Sequence, residues 1–382
     1  MCSHSLLVSE AAAYASLGDR DTGAGMKAQR SGKKCSVTKS AHLALALAAA
    51  TLSSTIALAD ENGVSLWLPG LFGSLAAVPA TPGAGIASIY YHTSVSAGGA
   101  VAASRQITIG RFSRTANVDL NASINADADL LFLVPSYVFQ SPVLGGQLAV
   151  SMAGAYGRNK TSLDGNLSVG IGSLTASRFG SFSDTLTGFG DLYPQFTLKW
   201  NRGVHNYMVY GFGDIPVGAY EPGRLANIGI GHGGIDGGFG YTYFDPTKGH
   251  EFSFVTGLTY NFKNTDTDYR NGIDWHLDWG TSQFLSKQLF IGAVGYFYNQ
   301  LTNDSGGAAI LGGFKSRVIG AGPQIGYIFP VAGMQGFLGA KSYFEFDAKN
   351  RPDGWNAWVT FALSPAAPEA PAPPPRRPMV YK

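Results

Sequence analysis

Beyond residue 60 the chain shows almost no helical periodicity, and apolar and polar residues alternate instead. In Ile273–Gly280, Ile273, Trp275, Leu277 and Trp279 alternate with Asp274, His276, Asp278 and Gly280. Residues 251–262 set Phe252, Phe254, Leu258, Tyr260 and Phe262 against Glu251, Ser253, Gly257 and Asn261. Residues 191–200 set Leu192, Pro194, Phe196, Leu198 and Trp200 against Asp191, Tyr193, Gln195, Thr197 and Lys199. The runs 319–329 and 355–363 repeat the pattern, the first with Gly320, Gly322, Gln324 and Gly326 on its polar face. Successive strand side chains point to opposite faces, so each run predicts a two-faced β-strand. Turn signals separate them: Asp245-Pro246-Thr247-Lys248-Gly249, Asn350-Arg351-Pro352-Asp353-Gly354, and Asp304-Ser305-Gly306-Gly307 in a longer loop. Hairpins in series make an antiparallel meander.

The polar faces decide what kind of sheet this is. A soluble sandwich exposes a charged face, but here the polar positions are Gly, Gln, Ser, Thr and Tyr, and only 14% of the chain is charged. Trp200, Trp275, Trp279, Trp355 and Trp358 fall near strand ends, as the aromatic girdles of a membrane barrel would. Lipid forbids open sheet edges, so the sheet must close. The expected fold is all-β: an antiparallel transmembrane β-barrel of about twelve strands, with ten to fourteen allowed.

The two ends stand apart from this pattern. Lys33, Lys34 and Lys39 precede the apolar run AHLALALAAATLSSTIALA, which ends in Ala57-Leu58-Ala59. A basic region, a short apolar run and an A-x-A site mark a secretory signal, with cleavage expected between Ala59 and Asp60. Met26-Lys27 makes a better start for such a signal than Met1. The leader carries six Lys/Arg and three Asp/Glu, so its removal takes the formal charge from +2 to about −1. A near-neutral chain gives no reason to expect nucleic acid as a partner. Both cysteines, Cys2 and Cys35, lie in the leader, which leaves no disulfide framework and no thiolate site. At the far end PAAPEAPAPPPRRPMVYK is too Pro-rich to join a sheet. The expected organisation is a leader at 1–59, a periplasmic or plug segment at 60–85, the barrel at 86–363, and a tail at 364–382 that could meet a periplasmic partner.

Candidate chemistry is sparse. Residues 229–234 match GxGxxG, but no helix follows, so loop or strand packing is the better reading. Asp266–Gly272 looks like a calcium loop, but Arg270 and Leu277 stand where oxygen ligands should be. Asp274, His276 and Asp278 form the row of most interest. As a lumen-facing set they could contact a permeant; as interior filling they would pair with cations on neighbouring strands. Lys341 and Glu345 on one strand, and Asp191 and Lys199 on another, are candidates for such pairing. Tyr193 and Tyr343 add rings on which a solute could stack. A Ser–His–Asp hydrolase has no matched nucleophile beside His276, and triads are defined by geometry. No metal or cofactor is expected.

Several runs go further than composition: LPGLFG (68–73), GFGDLYPQF (188–196), FDPTKGHEFSF (244–254), NTDTDYRNGIDWHLDWG (264–280), FKSRVIGAGPQIGY (314–327) and YFEFDAKNRPDGWNAWVTFAL (343–363). With these the chain resembles the phenol meta-pathway degradation proteins, the SphA-like outer-membrane transporters, from about Leu66 to Leu363. The resemblance implies a barrel in the outer membrane of a Gram-negative bacterium that passes aromatic or other hydrophobic molecules, and no catalyst. Two other readings stand beside it: a barrel enzyme acting on lipid, and a structural or surface-binding barrel. The Pro-rich tail departs from the family's usual end.

Overall fold

The computed structural model describes residues 65–109, 112–171, 174–306 and 315–366. The leader, its cleavage site and the tail from residue 367 lie outside the described residues. The strands in chain order begin with β1 (Gly83–Ile109), β2 (Phe112–Val138), β3 (Gln147–Ile171) and β4 (Leu174–Arg202). Next come β5 (His205–Asp214), β6 (Gly234–Asp245), β7 (His250–Asn261), the two-residue β8 (Tyr269–Arg270) and β9 (Asp274–Phe284). The chain ends on β10 (Leu289–Gln300), β11 (Ser305–Gly306), β12 (Arg317–Val331), β13 (Met334–Lys349) and β14 (Asp353–Pro365). All but β8 and β11, which pair with each other, form one closed twelve-stranded barrel; every pairing is antiparallel, each ring strand with the next, and β1 closes on β14. No helix among the described residues is long and apolar enough to cross a membrane.

Alternation sorts the side chains. On β9, Asp274, His276 and Asp278 are buried, while Trp275, Leu277 and Trp279 lie on the other face. On β7, Glu251, Ser253 and Asn261 are buried, and Phe252, Leu258 and Tyr260 are exposed. Leu131, Phe239, Ile325 and Phe361 extend this apolar outer belt around the wall. Lipid is the medium such a belt fits. The interior is filled by Tyr91, Tyr210, Tyr296, Tyr298 and Tyr343 together with Val255, Val294 and Val318. One sequence expectation fails here. Trp358 is an inward residue, 2% exposed, packed on Tyr91 at a ring distance of 4.4 Å, with its indole N–H given to Asn356. It sits opposite the parity of Trp355 and Val359, and parity decides the face. The barrel also begins at Gly83, where β1 already pairs with Val138, and ends at Pro365 opposite Met334.

The connections divide into two sets. Short turns join β4–β5, β6–β7, β9–β10 and β12–β13 at the rim that also holds the start of β1 and the end of β14. Long loops at 215–233 and 262–273 occupy the other rim, where β10 ends and β12 begins. Bacterial barrels place short turns in the periplasm and long loops outside the cell. The first four strands overreach the ring. β1 pairs with β14 only over Ile86–Ser96 but with β2 over its whole length, and β4 above Leu192 pairs with β3 alone.

Candidate solute pathway and its plug

Residues 65–82 form no strand and run inside the barrel. A backbone without a ladder must find partners elsewhere, since a buried N–H or C=O left alone is costly. The wall supplies them. Asp278 accepts the N–H groups of Gly70 (3.1 Å) and Phe72 (2.9 Å). Glu251 accepts Leu75 N–H at 2.9 Å, and Thr242 accepts Ala77 N–H at 3.0 Å. Lys341 donates to the carbonyls of Gly70, Leu71 and Phe72, and Lys199 to that of Val78. Gln324 donates to Ser74 Oγ, and Gln147 exchanges two bonds with Ala80. The segment is thereby tied to β3, β4, β6, β7, β9, β12 and β13. It is a plug that runs from the short-turn rim at Gln147 to the long-loop end of β9, where Ser65 donates to Asp274.

Trp67 is the plug's anchor. Its ring stacks on His276 with centroids 3.6 Å apart and planes 12° from parallel. Beneath that stack, His276 Nε2 lies 2.8 Å from Asp236 Oδ2 on β6, and both side chains are fully buried. Thr259 donates to the same Asp236 oxygen. Trp67 also meets Phe72, Tyr210 and Phe212. From Phe212 the aromatic surface continues to Tyr193, stacked at 5.7 Å, and on to Phe132. Tyr343 touches the plug at Gly70, whose φ is +84°. A Cβ there would fall 2.8 Å from the Tyr343 ring, so the turn requires glycine on both counts.

The residues singled out in the sequence thus have separate fates. Asp274, His276, Asp278, Lys199, Lys341 and Tyr343 converge on the plug. Asp191 and Glu345 do not. Asp191 is 1% exposed and accepts the N–H groups of Gly218 (2.7 Å) and Ile230 (2.8 Å), which ties down the 215–233 loop. Glu345 accepts from Tyr296 and from Gly354 N–H near the long-loop rim. The acidic row meets the plug together with Lys341, which holds carbonyls of the turn whose N–H groups Asp278 accepts. Across the ladder Asp274 faces Thr259 and Gln300, and Asp278 faces Val255 and Tyr296; Asp278 takes plug N–H groups, and Asp274 accepts from Ser65 and Asn261. Trp67, Asp236, Thr242, Glu251 and Gln324 were not anticipated as site residues. The alternation put Glu251 and Gln324 on a polar face, but nothing local marked them as plug ligands. Among the described residues no cluster of His, Cys, Asp and Glu could hold a metal ion.

An apolar belt outside, a polar and aromatic interior and a closed antiparallel ring define an outer-membrane β-barrel of the channel class. The chain belongs to the family described as "Putative MetA-pathway of phenol degradation", whose model matches residues 96–361. The COG4313 outer membrane channel from Pseudomonas putida F1 shares the fold, with a TM-score of 0.53 at 13% identity over 78% of this chain and 99% of that one. OccAB4 of Acinetobacter baumannii and OccK7 of Pseudomonas aeruginosa align at TM-scores of 0.26 and 0.28, with 10% and 11% identity. Each alignment covers 74% of this chain and 98% of the other. No protein with a curated description matches.

Proposed function

We propose that the protein is an outer-membrane uptake channel for uncharged aromatic or other hydrophobic small molecules, exported through its leader and held shut to ions by the plug. The observation that carries this reading is how the interior is divided. Glu251, Asp278 and Lys341 are spent on plug backbone, while Phe132, Tyr193 and Phe212 on the β2–β5 side form a continuous ring surface. Rings stack on rings with about 0.5–1.5 kcal/mol beyond the area they bury, and ions gain nothing there. The family's association with phenol degradation agrees with such a cargo.

The test uses purified protein in vesicles with a lipopolysaccharide outer leaflet, which naphthalene crosses slowly unaided. Wild-type protein should speed naphthalene influx several-fold over protein-free vesicles while planar-bilayer ion conductance stays low. A variant lacking residues 65–80 should conduct ions strongly. Equal influx with and without wild-type protein would sink the reading.

A further inference from the structure

The slot that holds Trp67 is built by the barrel wall. Its floor is the His276 ring on β9, and its sides are Tyr210 and Phe212 on β5, whose centroids lie 6.1 and 6.4 Å from the indole. These rings are fixed without help from the plug. His276 is held by Asp236, which also accepts from Thr259, and the Tyr210 hydroxyl lies 3.4 Å from His276 Nε2. Gly257, across the ladder from His276, lets both rings come close, since a Cβ there would strike the Tyr210 hydroxyl. With the indole swung away, the same three rings would still line a cleft.

No side-chain hydrogen bond keeps Trp67 in that slot. The residue is 1% exposed, yet its indole N–H finds no acceptor among the described residues. A buried donor left unpaired works against its own burial. The plug's firm ties lie on either side of it: Ser65 to Asp274, and Gly70 and Phe72 to Asp278. The indole can thus swing out between two fixed points while the plug backbone stays bonded to the wall. Phe212, one side of the slot, is also the end of the ring surface that runs from Phe132 through Tyr193. A solute ring following that surface meets Trp67 next.

We propose that this slot is a solute subsite and that Trp67 is its built-in competitor, a side chain of the plug seated where a solute ring binds. The ligand class is an uncharged bicyclic aromatic, because the slot is shaped to an indole and grants its N–H no partner. The proposal rests on the channel reading and names the step at which solute meets plug. A solute ring gains the His276, Tyr210 and Phe212 faces that the indole leaves, so the exchange of one ring for another is close to balanced. A ligand shifts an equilibrium only through its preference for one state. Here that preference is built in, since a solute ring fits the slot only with Trp67 out. Ions have no ring to offer and leave Trp67 in place.

The test follows Trp67 itself. The chain has six Trp, so protein labelled with 5-fluorotryptophan in lipid nanodiscs can be read by fluorine NMR, with the Trp67 resonance identified by its loss in Trp67→Phe. Naphthalene should move the wild-type Trp67 resonance saturably away from its buried position. Decalin, equally apolar and bicyclic but without an aromatic face, should leave it in place. A competitor lowers apparent affinity by the fraction of time it holds the site, so Trp67→Ala should bind radiolabelled naphthalene at least about ten-fold more tightly than wild type. Adding His276→Ala, which removes the floor, should abolish that gain. A Trp67 resonance unmoved at saturating naphthalene would overturn the proposal. So would equal displacement by decalin, or equal naphthalene affinity in wild type and Trp67→Ala. The channel reading fails by a separate result, the failure of wild-type protein to speed naphthalene influx over protein-free vesicles.

Discussion

At the scale of single residues, the plug depends on a few side chains that do more than one job. Asp278 satisfies two plug N–H groups, and hydrogen bonds to a charged partner are worth about 1.5–3 kcal/mol each. Asp278→Ala should therefore loosen the plug without unfolding the barrel, whose ladder it does not join. Gly70→Ala should do the same by a different route, through the positive φ and the Tyr343 ring. For both, single-channel recordings should show ion conductance above wild type, while the heat-dependent gel shift of the folded barrel persists. Closed wild-type-like recordings from both variants would remove the plug from the gating role. The polar row at Asp274, His276 and Asp278 was legible because period-2 alternation separates faces without any knowledge of neighbours. Its partners were not. Trp67 and His276 meet only when a ladderless segment is drawn through the bore, and Asp236 sits in a glycine-rich run with no periodic signal of its own. Trp358 shows the opposite error, since proximity to a strand end suggested a girdle and parity placed it inside.

At the scale of elements, strands β4, β7, β9, β12 and β14 could be read in advance. Runs such as 251–262 and 274–280 alternate because one face meets lipid and the other the bore, a constraint that acts on every residue pair. The long arms of β1–β4 could not be read this way. Beyond the ring neither face has a fixed medium, so the alternation fades; Phe179, Phe182 and Phe189 are all exposed there. Besides the Asp191 bonds, a charged latch holds the 215–233 loop to this projecting sheet. Arg224 makes a two-pronged contact with Asp184, at 2.7 and 3.1 Å, and Ala226 N–H adds a third bond. Asp184 lies on the part of β4 above the bilayer, and the Arg224 guanidinium holds its carboxyl down at about 2. A depressed carboxylate contributes its stabilisation above its ordinary value near 4 and loses it only as pH falls through about 2. The latch should survive mild acid. Hydrogen exchange in residues 215–230, corrected for intrinsic rates, should be unchanged from pH 7 to pH 4. Asp184→Asn should speed it at pH 7. Release of the wild-type loop by pH 5 would contradict this account.

At the scale of the whole molecule, the ring and the plug obey different rules. The ring is built from neighbours in sequence, each hairpin pairing with the next, and only the β1–β14 seam joins distant residues. The plug's ties to the wall are distant contacts: Ser65 with Asp274 spans 209 positions, and Gly70 with Lys341 spans 271. Contacts of that separation cannot form until the intervening strands are in place, since closing the loop early costs entropy with nothing yet gained. The portion of the described chain that leaves the ribosome first is thus the last to settle. Between those moments a sealed ring with an empty bore must exist. In refolding from urea into liposomes, ion leakage should rise with the gel shift that reports ring closure and then decay in a second, slower phase. A newborn barrel is a leak before it is a gate, and a cell that makes this protein bears that leak at every insertion.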